Sequence, residues 1–240
     1  MIAISLPNRF RGWNGRRHTS ELLRFWAKGA ARITGISIKT FGRTHGNVSG
    51  LVVSNHLGYV DIVVHAAIFP LRFAPSTEVA KMPVVSGIVS ASNPIFVDRS
   101  SAHAAKKAVR DFAKTMKRGM CLIVYPEGTS TNGKNGILPF KSTSFDAASS
   151  GGMPVIPILT RYVEDEREPS VAWYGDMTFF SHFWKVLGKR KIEAEVYMLD
   201  LIEPGGRTRK ELASFVHDVM SREYAGLSLP DHVPGGAGIC

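Results

Sequence analysis

The sequence is poor in cysteine, in long apolar runs and, over its first fifth, in acids. Only Cys121 and Cys240 occur in 240 residues. Two cysteines give no disulfide framework, and no CxxC pair points to zinc. The chain therefore reads as a protein of a reducing compartment. No run of 18 uncharged apolar residues exists, so no membrane-crossing helix is expected. The longest uncharged stretch, residues 82–97, is interrupted by Pro83, Gly87, Asn93 and Pro94. The first residues lack the continuous apolar segment and cleavage site of a secretory signal. There is no internal repeat.

What is present is a basic, well-cored chain. Hydrophobic residues make up 44% and there are 13 Phe, 6 Tyr and 4 Trp, enough to exclude general disorder. The formal charge is +10. Nine basic residues stand against one acid, Glu21, in residues 1–45. Such an arm binds a polyanion, either an anionic membrane surface or nucleic acid. Within residues 18–36, Leu22, Leu23, Phe25, Trp26, Ala30 and Ile33 recur at near-helical spacing. Arg24, Lys28 and Arg32 fall four apart on another face. This pattern predicts an interfacial helix; the alternative is a core-packing helix with a solvated basic side. The expected division is a basic amphipathic docking arm over 1–45, a domain over 46–225, and a loose Pro- and Gly-rich tail over 226–240.

Buried strands are predicted at 36–41, 51–54, 94–97, 120–125 and 154–160, with a half-exposed strand at 192–199. Helices are predicted at 101–118 and 207–224. Alternation of this kind predicts a single α/β domain: a mixed, mostly parallel sheet flanked by helices.

Three of these strands end in polar motifs, which is where sites form on open α/β sheets. Ser54-Asn55-His56-Leu57-Gly58-Tyr59-Val60-Asp61 follows the strand at 51–54. His56 and Asp61 are about 500° apart on one continuous helix, on different faces. They meet only if His56 lies on the turn and Asp61 on the helix after it. A carboxylate on one imidazole nitrogen fixes the tautomer and leaves the other nitrogen to take a proton. No Ser or Cys nucleophile with its own base is evident, so His56 is expected to deprotonate a substrate hydroxyl. The run Asn93–Ser100 ends in Asp98-Arg99 ahead of a helix, a natural phosphate site. Tyr125-Pro126-Glu127-Gly128-Thr129-Ser130 closes another strand. There Gly128 permits close backbone approach, Thr129 can hold an anion, and Glu127 bonds a hydroxyl or pins the loop. Pro154 and Pro157 frame an apolar strand and on their own indicate an edge or a strand start.

In this order the motifs resemble those of the glycerolipid acyltransferase family, of the 1-acyl-glycerol-3-phosphate acyltransferase type. The matching boxes are Asn55–Asp61, Ile95–Arg99, Pro126–Thr129 and the proline-framed segment at 153–157. The resemblance implies transfer of a fatty acyl group from acyl-CoA or acyl-carrier protein, as co-substrate and with no cofactor or metal, to the hydroxyl of a lysolipid. It implies His56 as base, Asp61 as its partner, and Asn55, Arg99, Glu127, Gly128 and Thr129 as substrate-binding residues. It also implies a peripheral or monotopic place on the cytoplasmic face of the inner membrane. Two departures bear on the acceptor. Ser130 stands where many phosphatidic-acid-forming members have Arg, and Ser76 where many have Lys, if Glu78 is the matching Glu. The run Glu127–Gly133 followed by Phe140-Lys141 is more similar to the lysophosphatidylcholine and bacterial lyso-ornithine-lipid acyltransferase branch.

Residues 173–184 hold six aromatics. Phe179, Phe180, Phe183 and Trp184 are expected to line the acyl site or touch lipid; the alternative is core packing. A nucleic-acid module is the reading from another class. It is disfavoured because no aromatics interleave with the basic arm and no helix-turn-helix pattern appears. A non-catalytic lipid-binding relative is disfavoured by the intact His56/Asp61 pair.

Overall fold

A computed structural model gives the architecture. It describes residues 13–227 except 44, 46, 47, 76, 78, 80–84, 92, 98–101 and 166, without the side chains of 13–19, 85, 88, 91 and 102–105. In chain order the elements are α1 (Trp13–Ile33), β1 (Ile36–Gly42), β2 (Leu51–Ser54), α2 (Val60–Ile68), β3 (Leu71–Phe73), α3 (Val85–Ala91), α4 (Ala102–Lys117), β4 (Cys121–Val124), α5 (Asp146–Gly151), β5 (Val155–Val163), α6 (Phe179–Leu187), β6 (Ile192–Met198) and α7 (Arg209–Gly226). The strands form one six-stranded sheet in the order β1-β6-β5-β2-β4-β3. Strands β5, β2, β4 and β3 are mutually parallel; β6 pairs antiparallel with β5 and parallel with β1. This is the α/β domain expected from the alternation of elements.

Period-2 alternation divides the core between the two sheet faces. Val52, Ile123, Ile156 and Ile158 point to the side covered by α1, α2 and α6. Leu51, Val53, Leu122, Val124 and Leu159 point to the side covered by α4, α5 and α7. Helix α7 begins where Thr208 and Glu211 form a reciprocal cap: the Thr208 hydroxyl accepts from the Glu211 N–H, and the Glu211 carboxylate accepts from the Thr208 N–H at 2.8 Å.

Several expectations are corrected. Residues 94–97 do not form a full strand; Ile95 and Val97 each donate one N–H to the chain around β3, and Pro94 has no donor to extend the ladder. The edge strand is instead Leu71–Phe73, too short for a pattern to show. Strand β6 is not half-exposed: it lies between β1 and β5, and Glu195, 8% exposed, pairs with Arg161 at 2.7 Å. Pro157 lies inside a central strand, one residue before the antiparallel ladder to β6 begins at Ile158. The boundary expected at residue 45 puts β1 in an arm, whereas β1 is part of the sheet.

Helix α1 carries three stripes rather than two. Leu23, Ala27 and Ala31 are buried in the core, and α1 packs on α2. Arg24, Lys28 and Arg32 form the basic stripe. Leu22, Phe25, Trp26 and Ile33 form a third stripe in solvent, with Phe25 77% and Ile33 88% exposed. Among the described residues no helix is long and apolar enough to cross a membrane. The tail from 228 and the basic residues Arg9, Arg11, Arg16 and Arg17 lie outside the described residues or side chains.

Candidate active site

The site forms where β2 and β4 end side by side. His56 lies on the β2–α2 turn and Asp61 in the first turn of α2, the arrangement the spacing requires. His56 Nδ1 and Asp61 Oδ2 are 2.8 Å apart. Because a carboxylate only accepts, Nδ1 carries a proton, and the neutral tautomer compatible with this bond has Nε2 as its acceptor. The His56 side chain is 22% exposed, and Nε2 has no hydrogen-bond partner among the described residues. The ring is thus held from behind and open in front. It stacks on Tyr125, centroid to centroid 4.1 Å.

Asp61 is fully buried. Its Oδ2 also accepts from the Leu57 and Gly58 N–H groups at 2.7 and 3.0 Å, and its Oδ1 from the Tyr162 hydroxyl at 2.6 Å. Burial by itself would raise its pKa. The hydrogen bond and charge of His56, helped by Tyr162, outweigh burial and hold the carboxyl below the usual carboxylate range. Gly58 is required by a close approach: a Cβ there would lie 3.0 Å from the Trp173 N, which donates to the Leu57 carbonyl at 2.8 Å.

Behind the pair is a buried polar layer. His65 bridges the Tyr125 hydroxyl and the Thr160 hydroxyl, each at 2.8 Å. Burial pushes its pKa down to about 4, so it is neutral at pH 7. The unfolded chain protonates this imidazole near 6.5, the folded chain only near 4, so acid favours unfolding across that window. Stability should fall by about 3 kcal/mol as pH drops from 6.5 to 4. Urea unfolding at pH 7 and pH 4.5 tests this, and His65→Gln should flatten the slope.

Two expected substrate-binding residues have other work. Asn55 is 2% exposed; its Nδ2 donates to the Thr160 carbonyl at 2.9 Å and its Oδ1 accepts from the Thr160 N–H at 2.8 Å. It clamps β2 to β5 and does not face solvent. Glu127 is 4% exposed, and its two oxygens accept from the His56 N–H at 2.8 Å and the Leu138 N–H at 2.9 Å. Both oxygens are engaged by backbone N–H groups, so it fixes the His56 and Leu138 backbone. Gly128 (φ +76°) and Thr129 are exposed. The Lys141 amino end occupies the space a Cβ at Gly128 would need, which brings a cation to this loop. Ser130 spends its hydroxyl on the Trp173 carbonyl at 2.5 Å, so it anchors the 173 loop. Arg99, Ser76 and Glu78 lie outside the described residues.

The aromatic segment divides in two. Phe179 and Phe183 stack at 5.6 Å and surround Tyr59, whose hydroxyl donates to His182 at 2.9 Å. This cluster abuts the start of α2, beside the His56 loop. Phe180, Trp184 and Leu187, spaced four and three apart on α6, are 57%, 68% and 44% exposed. Sequence reasoning missed Tyr162 and His65, and gave Tyr125 and Lys141 no role of their own. Tyr125, adjacent to the Pro126–Thr129 box, and Lys141, in the Phe140-Lys141 pair, each carried a local signal.

The chain is similar to known proteins. A lyso-ornithine lipid O-acyltransferase of Brucella abortus is 29% identical over 219 residues, 82% of this chain and 80% of the relative. One of Rhodobacter capsulatus is 33% identical over 191 residues, 76% of this chain and 68% of the relative. The crystal structure of the 1-acyl-sn-glycerophosphate acyltransferase of Thermotoga maritima superposes with a TM-score of 0.64 at 20% identity, covering 91% of this chain and 83% of that one, a likeness of fold. The acyltransferase family matches residues 38–161, which include the His56–Asp61 loop, the Tyr125–Thr129 turn and the Thr160 clamp. The chain belongs to the acyltransferase family.

Proposed function

We propose that the protein transfers a fatty acyl group from a thioester donor, acyl-CoA or acyl-carrier protein, to the free hydroxyl of a lysolipid. The observation that carries this is the His56–Asp61 pair with its open Nε2. Nε2 takes the hydroxyl proton as the oxygen attacks the thioester carbonyl. The C–S bond then breaks, the acyl ester forms, and the departing thiolate recovers the proton from His56. Asp61 stabilises the imidazolium in between. Arg99, Gly128 and Thr129 are proposed to hold the acceptor's polar end, with Lys141 beside Gly128 adding a charge that suits an anionic group.

Two relatives named for lyso-ornithine lipid make that the first acceptor to try. Ser130, where many phosphatidic-acid-forming members have Arg, supports the same choice, since it offers one cation fewer to a phosphate. The second reading is 1-acyl-glycerol-3-phosphate. The exposed apolar stripes of α1 and α6 lie on the same sheet face. With the basic stripe of α1 between core and solvent, they suit an anionic membrane surface, for which the inner membrane's cytoplasmic face is proposed.

Purified protein with labelled acyl donors, in anionic liposomes doped with a panel of lysolipids, tests both parts. Label should pass to lyso-ornithine lipid or lysophosphatidate. A Phe25→Glu/Trp184→Glu variant should lose liposome binding and slow transfer at least tenfold, while keeping its thermal transition. No labelled lipid from any acceptor would reject the acyl-transfer reading, and unchanged liposome binding would reject the docking surface.

A further inference from the structure

Helix α4 and the residue after it present six cations, Lys106, Lys107, Arg110, Lys114, Lys117 and Arg118, within thirteen residues, against one acid, Asp111. All six are exposed. Lys107 pairs with that acid at 3.1 Å, and an exposed pair of this kind contributes little. The helix is held to the sheet by its opposite side, through Ala108, Phe112 and Met116.

The position of the helix narrows the partner. It covers the sheet face opposite α1 and α6, so a membrane engaged by their apolar stripes does not reach it. Its direction matters as well. Ile95 and Val97 bond to Phe73 and Pro75 in the same sense as the parallel strands. Helix α4 then returns to the start of β4. The Lys106–Arg110 half therefore lies toward the end of the sheet where Tyr125 stacks on His56. Beside the helix is a hollow of about 420 Å³. Ile95, Phe96 and Ala108 give it apolar walls beside the buried Arg72 and Thr115, and Lys107, Lys114 and Arg118 with Asp111 give it a mostly basic rim. Phe96 is 40% exposed. An exposed aromatic set among basic side chains suits an acidic partner that brings a small apolar contact of its own.

We infer that α4 and this hollow are the docking site of an acidic acyl-carrier protein, which delivers its thioester to His56 from the side away from the membrane. The inference rests on the acyl-transfer reading and specifies its donor. Complementary charge of this density speeds encounter and sets orientation more than it adds affinity, so its mark is a salt-dependent KM.

The test compares wild type with Lys106→Glu/Arg110→Glu/Lys117→Glu, three residues outside the hollow, using acyl-carrier protein and acyl-CoA carrying the same chain. The variant's KM for the carrier protein should rise at least tenfold and lose most of its salt dependence. Acyl-CoA kinetics, liposome binding and the thermal transition should stay as in wild type. An unchanged KM for the carrier protein overturns the inference. So does an equal rise for acyl-CoA, which would make the face a nucleotide site, or a loss of liposome binding, which would make it a membrane surface. Carrier-protein turnover absent in wild type while acyl-CoA works overturns it and leaves the acyl-transfer reading standing. Failure with both donors rejects that reading itself.

Discussion

His56→Ala is expected to lower acyl transfer by about 10²–10⁴-fold, the usual contribution of a positioned general base, while the protein stays folded. That corresponds to about 3–5 kcal/mol of barrier. The folded state should tolerate the change because of how Asp61 is held. Without the imidazole, the carboxylate still accepts from Leu57 N–H, Gly58 N–H and the Tyr162 hydroxyl, so its buried charge remains hydrogen-bonded. The His56 ring is partly exposed, and its removal opens no sealed cavity. Steady-state rates with saturating thioester and lysolipid, beside a thermal melt, separate the two effects. Wild-type turnover in this variant would mean that another group removes the proton, and the proposed mechanism would fall.

Asp61→Asn is expected to be worse for chemistry than its size suggests. Oδ2 receives three donors and Oδ1 one. An asparagine oxygen can keep the Oδ2 place while its N–H turns to the Tyr162 hydroxyl, which can rotate to accept. The fold should survive with a loss of about 1–3 kcal/mol. What disappears is the charge facing the imidazolium; in Ser-His-Asp triads the matching change lowers turnover by about 10⁴-fold. The pH dependence has a definite sign. The carboxyl is held below its ordinary range, so its contribution to wild-type stability is complete above the unfolded value near 3.8 and is lost as pH falls through the lower folded value. The variant should lack that acid-side loss while keeping the one due to His65 at higher pH. Full activity in Asp61→Asn would make the carboxylate purely structural.

The four boxes and their order were legible because each is local: a strand, a turn and a few side chains within eight residues. His56 and Asp61 could be paired from spacing, since a turn followed by a helix leaves one way for them to meet. The strand at 71–73 could not be read, being three residues long. The three stripes of α1 could not be separated either, because both apolar stripes look alike until α2 covers one of them.

Roles inside the site were a different matter. Asn55 and Glu127 stand in the right motifs for ligand binding, yet their polar atoms are consumed by Thr160 and by the His56 and Leu138 backbones. Tyr162 lies 101 positions from the Asp61 it supports, and His65 lies 95 from Thr160. Hydrogen bonds are short-ranged and directional, so which buried donor finds which acceptor is settled when β5 is laid beside β2. The order of residues named the His56–Asp61 pair through local geometry; the packing of distant strands chose which neighbours hold it and which side chains remain exposed.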